Sequence, residues 1–567
     1  MPALPPTRAP LLLAAAAGAL FAWWLYGARV LDPRSIAWLL HGDPAQHFLG
    51  SVYFLREAWQ GPPGLIAGFG TDPTNVVFTD SIPLLAFIAK ALGVAPGLQY
   101  FGLWMLACHA LAGLFAVRLL QRLGLTRAVP LFAGAMFFIT APTILLRAYG
   151  HEALMGQFLV LWALERALAS WHWGAWLLLV AVAVLVHPYL ALMAACIGLG
   201  AAVAARVRGE VGTAPLLAQG AASALVLGAL AWAAGYFAGR GDVSAAGHGF
   251  FSANLLTWFD PMDWAAFTQQ HQRAVAADRE WSRFLPSLPQ ATAGQYEGFA
   301  YLGLGMLALA GLALVAAVLS RLAPAARPVG SQALAPPAAP SRAAWIALVV
   351  TVSLLALWAF SLRPSIGARV LADLEPGPAL AHLLGIFRAS GRFVWPLTFL
   401  LMALVLVRVA RVRAGTLLIV AALLLQAADL RGKLGEFRWR FRAGPPGIEQ
   451  PLADPLWPRA LARCPRLELV SADLPPPGWV APALAAGLAG ARIDPAPTAR
   501  RSAQADAEHR QSVQGLIAGQ TWREDTLYLI AQPLPGLDNA TARLPATHQL
   551  RRLDGREVIL PRACLPD

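Results

Sequence analysis

The segment His41-Gly42-Asp43-Pro44-Ala45-Gln46-His47-Phe48 places a carboxylate and two imidazoles within eight residues. If a helix starts at Pro44, Asp43 and His47 are four residues apart and face the same way. Such a pair can take a proton from a hydroxyl and hold it. The same residues also read as a helix start, because Asp before Pro, with Gln two residues further on, is a pattern whose carboxylate accepts backbone N–H groups. Asp72 and Asp80 follow in Gly70-Thr71-Asp72-Pro73 and Phe78-Thr79-Asp80-Ser81-Ile82-Pro83. Asp72 reads as a turn residue before proline. Asp80 reads as a cap for the next helix, or as a second acid at the level of Asp43.

Three other stretches carry chemistry. Arg147-Ala148-Tyr149-Gly150-His151-Glu152 puts a cation, a phenol, an imidazole and a carboxylate together, with an Arg147–Glu152 ion pair as the structural alternative. Gln295-Tyr296-Glu297-Gly298 sets an acid beside an aromatic ring, which suits a sugar ring as well as membrane anchoring. Phe387-Arg388-Ala389-Ser390-Gly391-Arg392-Phe393 opens an apolar run with two arginines about one turn apart, suited to a phosphate or to lipid headgroups. His187 and Tyr189 read as interfacial residues, and His109 as a packing histidine.

What must position these residues is a membrane bundle. The 567 residues are 57% hydrophobic and only 13% charged, with mean hydropathy +0.56; a soluble domain carries about 25% charged residues. Eleven apolar runs have lengths near that of a spanning helix: 10–31, 98–120, 128–146, 152–169, 173–187, 188–205, 214–237, 298–320, 343–361, 392–411 and 413–430. The segment Ser81–Leu92 is too short to cross and reads as an interfacial or re-entrant helix. The fold expected is an all-α polytopic bundle over residues 1–430, followed by a small extracytoplasmic α/β domain over 431–567.

Charge sets the orientation. With the N-terminus cytoplasmic, the inner loops hold thirteen arginines, Arg118, Arg122 and Arg127 among them, against two acids, Glu165 and Glu210. The net charge of +13 is then mainly a topology signal and not a nucleic-acid footprint. The first loop, 32–97, and the second, 238–297, lie outside, while the proline-rich stretch 321–342 forms a cytoplasmic linker. Carboxylate chemistry is therefore expected outside the cytoplasmic membrane.

After Gly444, Leu467–Val470, Thr526–Ala531 and a hairpin at Asp554-Gly555 read as strands, and Ala481–Ala489 and Ala503–Ala518 as helices. This part carries no phosphate loop, HExxH or nucleophile elbow and reads as a lid or docking domain. Cys464 and Cys564 both fall in it and can pair in an oxidising compartment.

One span, a long loop with an early Asp, a short interfacial helix, a multi-span bundle and an outer C-terminal domain resemble the GT-C class of integral-membrane glycosyltransferases. The motifs around Asp43, Asp80, His151-Glu152 and Arg388-Arg392 look more closely like a bacterial multi-pass membrane family of unknown function related to that class. The resemblance implies transfer of a sugar from a polyprenyl-phosphate carrier to a glycan, lipid or protein acceptor in the envelope. It implies Asp43 as base or as ligand of a divalent cation such as Mg or Mn, with His47, Asp80, His151 and Glu152 as its catalytic neighbours. Arg388, Arg392, Arg147, Tyr149 and Glu297 would bind substrate. Asp43 has no adjacent second acid, unlike many relatives of that class, which leaves metal use open. A lipid-linked-sugar flippase and a non-catalytic envelope-assembly protein are the alternatives.

Overall fold

The computed structural model describes residues 8–238, 244–262, 281–322, 340–443, 449–500, 502–520 and 522–565. Among these, seven helices are long and apolar enough to cross a membrane: Arg8–Tyr26, Phe101–Arg122, Ala128–Arg147, Pro188–Val207, Thr213–Ala234, Arg342–Phe360 and Ser390–Ala410. Much of their apolar surface faces outward. Leu12, Leu217, Leu225 and Leu357 are largely exposed, and an apolar helix face left open in this way suits lipid.

Seven of the eleven expected spans correspond to these helices among the described residues, and the other four runs take other forms. Run 152–169 is broken by the 3₁₀ turn Glu152–Met155, leaving the ten-residue helix Phe158–Ala167. Run 173–187 forms the 14-residue helix Trp173–Val186, about 21 Å long at about 1.5 Å per residue and short of a bilayer core of about 30 Å. It ends at His187 because Pro188 cannot continue it. Run 298–320 forms Leu304–Leu322, in which Leu304–Leu319 is a shorter apolar stretch. Run 413–430 opens the helix Gly415–Ala443, which passes the expected domain boundary at 430 and carries buried Asp429, Lys433 and Glu436. Most of the linker expected at 321–342, and parts of the second loop, lie outside the described residues.

Small residues let the first two long helices meet closely. A Cβ at Gly18 would lie 2.1 Å from the His109 carbonyl oxygen, and one at Gly113 2.5 Å from that of Ala14, the close backbone approach typical of membrane helices. His109 is satisfied between them, with Nε2 2.9 Å from the Tyr26 hydroxyl and Nδ1 2.8 Å from the Ile139 carbonyl.

The first long loop is itself built of helices. Gly42–Arg56 is followed by a two-residue strand pair at Leu65–Ile66 and Thr74–Asn75, and then by the nine-residue helix Pro83–Ala91, too short to cross. The C-terminal part forms a five-stranded sheet ordered Arg492–Asp494, Arg466–Val470, Thr526–Ile530, Arg556–Pro561, His548–Leu553. Its first three strands run parallel and the last two antiparallel. The hairpin turn places Asp554 and Gly555 at φ 47° and 76°, as a tight primed turn requires.

This domain docks on the first loop. Phe69 bridges to Ile493, with Gly70 N donating to the Ile493 carbonyl at 3.0 Å and Ile493 N to that of Gly68 at 2.9 Å. An edge strand that would stand open is thereby covered. Tyr53 Oη donates to the Ala483 carbonyl at 3.0 Å, and Ala499 N to that of Phe78 at 2.8 Å.

Cys464 and Cys564 form a disulfide across 100 residues, with Cα atoms 5.4 Å apart. Substituting both by Ala should destabilise the C-terminal domain by about 2–5 kcal/mol. Faster proteolysis between residues 449 and 565, with the bundle intact, checks this; unchanged cleavage rates would show that the sheet holds itself.

Candidate active site

Helix Gly42–Arg56 starts one residue before Asp43, with His41 as its N-cap and no side-chain cap bond. Asp43 is the second helical residue, and its carboxylate makes no hydrogen bond among the described residues. Its side chain is 66% exposed, with protein atoms crowded around it. Protein crowding raises its pKa; His47 opposes that rise, while Asp80, Glu152 and Glu297 add to it. The nearest titratable partner is His151, with Nε2 3.9 Å from Asp43 Oδ2.

One turn along, His47 is buried and tightly held. Its Nδ1 lies 2.7 Å from Glu152 Oε2 and its Nε2 3.8 Å from Asp80 Oδ2. Asp80 sits in a turn at φ 53°, a left-handed conformation uncommon outside glycine and asparagine. Ser81 Oγ anchors that turn by donating to the His47 carbonyl at 2.9 Å, and the Tyr100 hydroxyl donates to the Ser81 carbonyl. Glu152 is fixed by the Trp104 indole, whose Nε1 donates to its carbonyl at 2.7 Å. The rings of His47 and His151 are 6.2 Å apart. Donor atoms of His47, Asp80 and His151 lie within 4.8 Å of one another, so these three residues can hold a metal ion.

Burial alone would push the His47 imidazolium down. The hydrogen bond and charge of Glu152, with the charges of Asp80 and Asp43, outweigh it and raise the pKa to about 9. His151 goes the other way, lowered by burial and by Arg392, Arg147 and His47 against the pull of Glu297. The cluster thus sets a charged imidazole beside a neutral one. Because the folded pKa of His47 is raised, its contribution to stability is complete below the ordinary value of 6.5 and is lost as pH rises through about 9. In detergent with chelator, so that no cation competes with the proton, the unfolding midpoint should fall over that window. Glu152→Gln should flatten the fall; an equal fall in that variant would place the titration elsewhere.

A second charged group lies alongside. Arg147 Nη1 donates to Glu297 Oε2 at 2.7 Å and Nη2 to its carbonyl at 3.0 Å. Arg392 donates from Nε at 2.9 Å and Nη2 at 2.6 Å to the two carboxylate oxygens. Burial would raise the Glu297 pKa, but the charges of Arg392 and Arg147 hold it well below the usual carboxylate range. Two cations on one anion leave this group net positive. Arg147 therefore pairs with Glu297 and not with Glu152. Tyr149 turns to the helix Gly415–Ala443 and donates to Glu436 Oε1, whose other oxygen is 2.9 Å from Lys433 Nζ. Arg388 stands apart from this pair, 5.3 Å over the Phe251 ring and with Nη1 3.4 Å from the Ala246 carbonyl.

Residues 15–431 match the family described as Domain of unknown function (DUF6311), and residues 456–561 match the DUF6311 C-terminal domain. The chain belongs to the DUF6311 family. No curated protein matches it. The match is to this family and not to a GT-C one.

The DUF6311 chain brings to the site two residues that the sequence reading did not place there. His187, read as interfacial, has Nε2 3.7 Å from Asp80 Oδ1, and the Tyr189 backbone N–H donates to its Nδ1 at 3.2 Å. Arg500 arrives from the C-terminal domain, with Nη2 3.3 Å from the Ile386 carbonyl, and its charge acts on Asp80, Arg388 and Arg392. An arginine pair, Arg500-Arg501, after Ala-Pro-Thr-Ala gives no sequence signal for such a role. The His187-Pro188 break gave one, since a histidine at a helix junction has its ring free to bond sideways.

Proposed function

We propose that this DUF6311 protein is an integral-membrane glycosyltransferase of the GT-C type. It would move a sugar from a polyprenyl-phosphate carrier to an envelope acceptor outside the cytoplasmic membrane, with its N-terminus cytoplasmic and its C-terminal domain extracytoplasmic. The observation that carries this reading is Asp43, an exposed carboxylate committed to no cap or close ion pair, beside the buried His47–Glu152 pair and a net positive arginine group.

In the proposed step, Asp43 accepts the proton of the acceptor hydroxyl. The acceptor oxygen bonds to the anomeric carbon, and the bond from that carbon to the phosphate oxygen breaks. Polyprenyl phosphate leaves with the electron pair, and its charge meets Arg388 and Arg500, with the net positive Arg147–Glu297–Arg392 group behind them. His151 and the His47–Glu152 pair position Asp43. Tyr149, bonded to Glu436, supports the loop between Arg147 and His151.

A flippase would be expected to carry ionisable groups along a path through the spans. The buried charges of His47, Glu152, Arg147, Glu297 and Arg392 instead gather with the first long loop, which favours chemistry at one face. The test is transfer of labelled sugar from polyprenyl-phosphate carrier in membranes containing wild type or Asp43→Asn. Transfer by wild type and its loss in the variant are expected. Full activity of Asp43→Asn would overturn the assignment, and carrier translocation without transfer would indicate the flippase.

A further inference from the structure

The three side chains beside Asp43 that could hold a metal ion do not form the set that a magnesium ion requires. Magnesium demands near-ideal octahedral oxygen coordination, whereas His47 and His151 offer imidazole nitrogens and only Asp80 offers oxygen. Two imidazoles with one carboxylate suit zinc and similar borderline ions. An ion of that class also leaves open positions when only three protein ligands hold it.

The groups that would support such an ion are already in place. Glu152 Oε2, 2.7 Å from His47 Nδ1, orients that ring so that Nε2 faces Asp80, 3.8 Å away. Carboxylate–imidazole–metal arrangements of this kind orient the ring and raise its basicity as a ligand. The other oxygen, Glu152 Oε1, is buried with no hydrogen-bond partner among the described residues. A cation beyond the imidazole would balance that charge. On the far side, His187 Nε2 lies 3.7 Å from Asp80 Oδ1, next to the third ligand.

We propose that His47, Asp80 and His151 bind one divalent transition ion of the zinc class, supported by Glu152 and His187, while Asp43 stays outside the coordination set. This deepens the transferase reading and rests on it for the ion's purpose, though not for its binding. Bound there, the ion would supply positive charge beside the departing phosphate.

The experiment uses untagged full-length protein in detergent, stripped with chelator and then offered zinc, cobalt or magnesium. About one equivalent of zinc or cobalt should remain per chain after desalting, cobalt should give visible absorption bands, and magnesium should not be retained. His151→Gln and Asp80→Asn, whose side chains are partly exposed, should abolish retention with the unfolding midpoint of the stripped protein kept. Glu152→Gln should weaken zinc binding about 10–100-fold. Equal retention by wild type and both ligand variants, or none by wild type, would overturn the site. Retained zinc in a protein that transfers no sugar would leave the site standing and sink the transferase reading. Transfer that persists in fully stripped protein, with no zinc retained, would do the opposite.

Discussion

Replacing Glu297 by Gln should destabilise the protein by about 3–5 kcal/mol, the range found when one partner of a buried ion pair is removed. Among the described residues Glu297 is the carboxylate bonded to both Arg147 and Arg392, which are 1% and 7% exposed, and it accepts at distances of 2.6 to 2.9 Å. Without its charge two guanidinium groups face each other in a pocket walled by aromatic rings, with Arg147 5.1 Å from Trp395 and Arg392 4.6 Å from Tyr189. The loss reaches beyond the site because Arg147 ends one helix, Glu297 lies in a turn of the second loop and Arg392 precedes the helix Trp395–Ala410. Poor membrane yield and a much lower unfolding midpoint in detergent are expected. Arg388→Gln is the control: it pairs with no carboxylate among the described residues and should change stability by no more than about 0.5 kcal/mol. Matching midpoints for the two variants would mean that water solvates the arginines.

Asp43→Asn should do the reverse, keeping the fold and removing activity. A general base contributes about 10²–10⁴-fold, so the rate of sugar transfer should fall by that factor with little change in KM for the carrier. Stability should hold because Asp43 gives up no cap bond and its only described ion contact is at 3.9 Å. Removing a crowded carboxylate near Asp80, Glu152 and Glu297 relieves repulsion. The contrast with Glu297 separates catalysis from scaffolding: one acid is exposed and chemically idle in the resting fold, the other buried and fully bonded. A variant that unfolds on losing Asp43 would reassign it as structural.

Features encoded within short stretches of chain were legible without the fold. Apolar composition and run length identified helices long and apolar enough to span a membrane, since a helix satisfies its own backbone inside lipid. In the C-terminal domain the strands expected at Leu467–Val470 and Thr526–Ala531 and the helices expected at Ala481–Ala489 and Ala503–Ala518 occur within one residue of their observed bounds. The helical spacing that aligns Asp43 with His47 was equally local, as was the turn chemistry of Asp554-Gly555.

Pairings between distant residues were not legible. Arg147 has Glu152 five positions away, yet it meets Glu297, 150 residues on. Glu152 goes to His47, 105 residues back. Helix lengths depended on where helices break, at the 3₁₀ turn of Glu152–Met155 and at His187-Pro188, and apolar run length carries no record of that. Arg500 reaches the site only because the C-terminal domain docks on the first loop through Phe69 and Ile493. By itself the sequence determined an apolar, mainly helical chain with a small sheet domain and one helix carrying Asp43 and His47 four residues apart, because hydropathy, periodicity and turn propensity act over a few residues. The tertiary structure decided which acid neutralises which base, leaving Asp43 open, because ion pairing depends on distance through space and not along the chain.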